Sequence, residues 1–269
     1  MKSNEETNFS QRRFQVILSI LIAIAFLFVL RGGRLIYIFK AKPSDYDAIL
    51  MSDSLGIIFA IIVMFLLGSI NILREKKHGI LKGLFIGGFL TFICAASLLA
   101  TLTTVQGKKL LPLSSIIVFT LAMIAVGMAE EFIFRGIILN LLIDRFGKST
   151  KGIWIAVIIS SIIFGCAHIS NIFAGVHLKA AFIQAMGTIA VGALIAAIYL
   201  RTRNIWVVVF LHAFMDFSSL IGAGFFGVSS FTGQVNQYGY IKLVSVAIYF
   251  IPVFILLRGS KMKEIIENV

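Results

Sequence analysis

Eight stretches of this sequence stay apolar for about as long as a helix must run to cross a bilayer, and nothing else in it narrows the possible folds so far. They cover roughly 14–30, 53–73, 80–102, 113–134, 152–170, 180–200, 205–223 and 240–257. The hydrocarbon core is ~30 Å thick, which about 20 helical residues span. No water satisfies the backbone there, so a helix, which closes its own hydrogen bonds, is the expected form. The chain is read as an all-α integral membrane protein with about eight transmembrane helices, multi-pass in the cell membrane. Of its 269 residues, 59% are hydrophobic and 13% charged, whereas soluble domains carry about 45–50% and about 25%.

The runs fall into three parts. Residues 1–112 hold the first three helices. Residues 113–222 hold four more, in which polar residues interrupt the apolar pattern. Residues 223–269 comprise an outer loop, the last helix and a cytoplasmic tail. The segment 225–239, rich in Gly, Ser, Asn and Gln, predicts an irregular loop. The fourth helix is expected to continue to about Ile143, outside the apolar core, with Pro112 in its first turn and Ser114 and Ser115 as capping candidates. Gly83 and Gly87, a small-xxx-small pair next to Gly88, predict close helix packing. Arg12 and Arg13 before the first run resemble a signal sequence. However, Arg31-Gly32-Gly33-Arg34 stands where a small-residue cleavage site belongs, so an uncleaved first span is expected.

The net charge of +12 does not point to nucleic acid, because the basic residues flank apolar runs instead of forming a stripe interleaved with aromatics. With the N-terminus inside, inner segments carry fifteen Lys and Arg residues and outer segments eight. The bias places both termini in the cytoplasm, although four basic residues in the first outer loop oppose it. Cys94 and Cys166 both lie in apolar runs and read as buried small hydrophobes; Cys166, two residues before His168, is also placed to line a cavity with it.

Most of the twelve acidic residues lie in loops or tails; Glu130 and Glu131 interrupt an apolar run. A carboxylate at membrane depth is costly, so it pairs or faces a wet cavity. Glu131 and Arg135 are four apart, acid first, which favours a pair on one helix face. Glu130 points about 100° away around the helix and has no cation on its own helix, which suits a general base. Two further helices carry Phe164 with His168, and His212 with Asp216, each pair at i, i+4. Singly, these are helix-packing ion pairs or satisfied histidines. Together, on three apolar helices that few other ionisable groups enter, they predict one site. His78 and His177 lie in flanking segments and read as solvated.

Other chemistries lack their motifs. There is no His-Glu-x-x-His zinc helix, no Gly-x-Gly-Asp pair and no rhomboid-type Gly-x-Ser-Gly. Gly147-Lys148-Ser149-Thr150 resembles the end of a phosphate-binding loop, but Leu142 occupies the first glycine position and no strand precedes it, so no nucleotide is expected. A proton-coupled transporter would show two related halves, and none is visible.

The three segments resemble the CPBP family, which comprises CAAX proteases and bacteriocin-processing enzymes and is also called the Abi family. Its pattern, Glu-Glu-x-x-x-Arg, then Phe-x-x-x-His, then His-x-x-x-Asn or Asp, corresponds here to Glu130-Glu131-Phe132-Ile133-Phe134-Arg135, Phe164-Gly165-Cys166-Ala167-His168 and His212-Ala213-Phe214-Met215-Asp216. The resemblance covers about 113–222. It implies an intramembrane glutamate endopeptidase acting on a membrane-associated peptide or protein. Glu130 and His168 would activate water, His212 and Asp216 would serve the oxyanion, and Glu131 and Arg135 would orient the site or contact substrate. The CAAX-cleaving relatives carry Asn where Asp216 stands. An ionised Asp cannot donate a hydrogen bond, so Asp216 is expected to orient His212 through a ring N–H. No cofactor is required on this reading; the alternative is zinc on Glu130, His168 and His212. The family also implies two other roles, a non-catalytic membrane scaffold and a bacteriocin self-immunity protein.

Overall fold

The computed structural model describes residues 2–269, with side chains from Phe14 onward. Among these residues the regular secondary structure is all helix, with no strand. The helices are α1 (Lys2–Leu30), α2 (Ile36–Phe39), α3 (Asp45–Leu66), α4 (Ile80–Ile86), α5 (Gly88–Thr104), α6 (Leu113–Glu131), α7 (Asn140–Phe146), α8 (Thr150–Ala167), α9 (Leu178–Thr202), α10 (Ile205–Phe226), α11 (Phe231–Asn236), α12 (Val244–Leu256) and α13 (Gly259–Ile266). A π-helical segment, Phe132–Leu139, joins α6 to α7. Six helical stretches are long and apolar enough to cross a membrane, and two bent pairs bring the number to eight. The protein is an all-α, multi-pass membrane protein.

Several expectations need correction. The third run is not one rod: α4 and α5 meet at 87°. Gly87 sits at the break, and a Cβ there would strike Leu211, while one on Gly83 would strike Val207. The small-xxx-small pair therefore seats α4 against α10. The second helix starts at Asp45, not 53, because Ser44 caps it. The Ser44 Oγ accepts from the Asp47 N–H at 3.2 Å, and the Ser44 N–H donates to Asp47 Oδ2 at 2.7 Å. The fourth span does extend beyond Ile143, to Phe146, but inside the core: Leu142 and Ile143 are buried where α7 meets α1 and α8. Ser114 and Ser115 cap nothing; Pro112 takes the N-cap position without a side-chain bond. The outer loop contains α11, capped by Ser230, whose Oγ accepts from the Gly233 N–H at 3.0 Å. Cys94 is buried as expected, whereas Cys166 is exposed on the outer face of α8.

Two registers set the depth of every polar group in the site. α3 runs parallel to α6. The Tyr46 and Phe119 rings lie 4.9 Å apart, a Cβ on Gly56 would stand 3.2 Å from the Ala129 Cβ, and Gly136 abuts Met64. α10 runs antiparallel to α6, with Gly224 against Phe119, Gly127 against Ala213 and His212 beside Glu131. Gly127 is what permits this approach, since a Cβ there would come 2.8 Å from the Val209 carbonyl oxygen. Helices in lipid associate by close packing of this kind, because the lipid tails are as apolar as the side chains.

Candidate active site

Helix α6 delivers Glu130 and Glu131 at the point where its winding widens. The π turn that follows carries Arg135, and the Asn140 Nδ2 amide donates to two of its carbonyls, Arg135 O at 2.9 Å and Gly136 O at 3.0 Å. Single π segments recur inside α-helices at functional sites. The expected Glu131–Arg135 contact forms even though the backbone here is not α: Arg135 Nη1 donates to Glu131 Oε1 at 2.8 Å, with both side chains essentially unexposed. Arg135 Nη2 donates to the Gly192 carbonyl at 3.1 Å, and its guanidinium lies 4.4 Å above the Phe164 ring centroid. Gly192 makes room, since a Cβ there would lie 3.0 Å from Phe164 Cδ1 and 3.4 Å from Arg135 Nη2.

Glu131 Oε1 also accepts from His212 Nδ1 at 2.6 Å. That bond fixes the ring and directs Nε2 toward two more carboxyl groups, Glu130 Oε2 and Asp216 Oδ2, each 3.6 Å away. The hydrogen bond expected between Asp216 and a His212 ring N–H is thus made by Glu131, and Asp216 stands off the opposite nitrogen. His212 is buried, whereas Glu130 and Asp216 keep 15% and 27% of their side-chain surface open. Glu130 Oε2 itself has no hydrogen-bond partner.

The second histidine reaches the group through Phe164. Both imidazoles meet that ring edge-on, His168 at 4.9 Å and His212 at 5.9 Å between centroids. His168 Nδ1 lies 3.0 Å from the Phe164 carbonyl oxygen. A carbonyl only accepts, so Nδ1 carries the proton and Nε2 is left with a lone pair. His168 is also within electrostatic range of Asp216. All six predicted site residues therefore lie in one neighbourhood, built by α6, the π segment, α8 and α10. Among the described residues no group of three His, Cys, Asp or Glu side chains is placed to hold a metal ion.

Two residues of this neighbourhood carried no motif. Gly192, on α9, has no side chain to signal a role. Asp53, on α3, is 6% exposed and lies within electrostatic range of Glu130, Asp216 and His212. The signal for it was present: Asp53, Gly56, Ala60 and Met64 fall at helical spacing and form the buried stripe of α3. It was obscured by placing the start of the second span at residue 53.

Among curated proteins no sequence match was found. Residues 112–218, which hold all three motifs and Gly192, match the family described as type II CAAX prenyl endopeptidase Rce1-like, a family of membrane proteases.

Proposed function

We propose that this protein is an intramembrane endopeptidase in which Glu130 and His168 activate a water molecule against a peptide carbonyl. The observation that carries the reading is the placement of the Glu130 carboxyl, with Oε2 buried, unpartnered and 3.6 Å from His212 Nε2 while the side chain as a whole stays partly exposed. A base needs such freedom to take a proton. The unprotonated Nε2 of His168 offers water a second acceptor. Attack of the water oxygen on the carbonyl carbon passes a proton to Glu130 and puts negative charge on the carbonyl oxygen. His212, with a proton on Nε2, donates to that oxyanion, and Glu131 behind it compensates the imidazolium. Arg135 holds Glu131 in place, and Asp216 flanks His212 Nε2. The substrate is a membrane-associated peptide or protein, and the basic-residue bias places both termini in the cytoplasm. No step is routed through a metal or other cofactor, and no nucleotide or nucleic acid takes part.

The test is to incubate the purified protein in lipid with a peptide library and identify products by mass spectrometry. Glu130→Gln and His168→Ala are expected to insert normally and to lose cleavage. Full turnover by either variant overturns the assignment. A cellular phenotype that survives Glu130→Gln points to a scaffold or immunity role instead.

A further inference from the structure

Asp53 is a third acid at the depth where Glu130 and Asp216 meet. The parallel register of α3 on α6 sets Asp53 level with Val126, three residues before the Gly56–Ala129 contact. The antiparallel register of α10 brings Asp216 to the same level. Helical side chains lean toward the N-terminus, so Glu130 on α6 tips back between the two. Asp53 and Asp216 thus stand at one depth, on the two helices that pack against α6.

Their surroundings differ. Asp216 has the His212 Nε2 edge at 3.6 Å. Asp53 is more than nine-tenths buried, and among the described residues no hydrogen bond or ion pair reaches its carboxyl. The titratable groups within electrostatic range of it are Glu130 from α6 and Asp216 and His212 from α10. Arg135, from the π segment, is committed to Glu131 and Gly192. Arg31 and Arg34, at the start of α3's packing against the turn after α1, are exposed. Among the described residues Asp53 caps no helix and bridges no ion pair, so helix packing alone does not account for it. Like charges crowded into one site are not all carried at once. A carboxyl in such company can carry an exchangeable proton.

We propose that Asp53 is the general acid of the reaction, delivering that proton to the leaving amine. The inference rests on the endopeptidase reading above. As the tetrahedral intermediate collapses, the carbon–nitrogen electron pair moves onto nitrogen, nitrogen takes the proton from the Asp53 carboxyl, and the carbonyl re-forms. Asp53 is left as a carboxylate. Glu130 holds the proton taken from water and returns it to Asp53. The sum is one water consumed, one carboxylic acid and one amine formed, and both acids restored. Glu130 works on the water and Asp53 on the leaving group, from neighbouring helices.

The experiment uses the full-length protein in lipid and a peptide that the library screen shows to be cleaved, synthesised once with its scissile amide and once with a thioester at the same position. A thiolate leaves without help, whereas an amine must be protonated. Asp53→Asn is expected to lower kcat on the amide about 100-fold or more, the contribution typical of a general acid, and to leave the thioester rate within about threefold. Asp53→Ala, which adds no polar group to the apolar stripe, serves if the Asn variant does not fold. Glu130→Gln is expected to lose both substrates. Unchanged amide turnover in the Asp53 variants overturns the proposal, and so does equal loss on amide and thioester. Retained turnover in Glu130→Gln overturns the endopeptidase mechanism itself, independently of Asp53.

Discussion

Removing Glu131 tests whether the buried ion pair or the histidine behind it dominates this site. Glu131→Ala strips the Arg135 guanidinium, 1% exposed, of the one carboxylate paired with it among the described residues. It leaves that cation the Gly192 carbonyl at 3.1 Å and the Phe164 face at 4.4 Å. Breaking a buried pair by removing one partner costs about 3–5 kcal/mol. The same substitution takes the acceptor from His212 Nδ1, and a hydrogen bond to a charged group contributes about 1.5–3 kcal/mol. The two losses share one oxygen, Oε1, so they do not add. Unfolded helices in a micelle also find substitute partners, so the lower end, about 3 kcal/mol, is expected. The double variant Glu131→Met/Arg135→Met removes both charges and retains volume. It is expected to recover most of that stability, because replacing a buried pair with apolar residues is often neutral or better, yet it should stay inactive with His212 unheld. Reversible unfolding in lipid–detergent micelles reads the stability, and the peptide assay reads turnover. A Glu131→Ala loss below about 0.5 kcal/mol, or a double variant no more stable than the single, would refute the argument that an uncompensated guanidinium sets the cost.

Three further outcomes are expected. Gly192→Ala should cost about 1–3 kcal/mol by overpacking, since the new methyl meets Phe164 Cδ1 at 3.0 Å; turnover should fall with it as Arg135 is displaced, and unchanged melting and turnover would contradict this. Glu264, on the tail helix α13, is lowered from 4.5 to about 2 by hydrogen bonds from Lys77 and then Arg201, at 3.0 Å and 2.7 Å. A carboxylate lowered by folding stabilises above its unfolded value, and that stabilisation is lost as pH falls through the folded one; an acid-active protease should therefore spare residues 259–266 at pH 4.5 and begin to cut them as pH approaches about 2, and cutting already at the higher pH would contradict the clamp. Treatment with a chelator should leave peptide cleavage unchanged; loss restored by zinc would return Glu130, His168 and His212 to the role of ligands.

That the chain is a bundle of apolar, membrane-crossing helices, and that six polar residues share faces of a few of them, was legible in the sequence. Both follow from rules acting within one helix. Apolar length decides whether a segment spans, and i, i+4 spacing decides which side chains share a face. Thus Glu131–Arg135 and His212–Asp216 were readable as same-face pairs before any helix was packed. The helix ends were less legible, because capping by Ser44 and the break at Gly87 depend on a few local bonds that hydropathy does not register.

Which partner each group takes was decided by packing between helices. Asp216 shares a face with His212, yet the ring N–H bond goes to Glu131 on another helix, because the antiparallel register of α10 on α6 brings Nδ1 within 2.6 Å of that carboxylate. Gly192 has little room for a side chain because Arg135 and Phe164 from other segments converge on it, and a glycine carries no pattern that announces this. Asp53 joins the site through the parallel register of α3 on α6, a relation between residues seventy-odd positions apart. Periodicity reports which way a side chain points along its own helix; only the docking of one helix against another determines what it meets there.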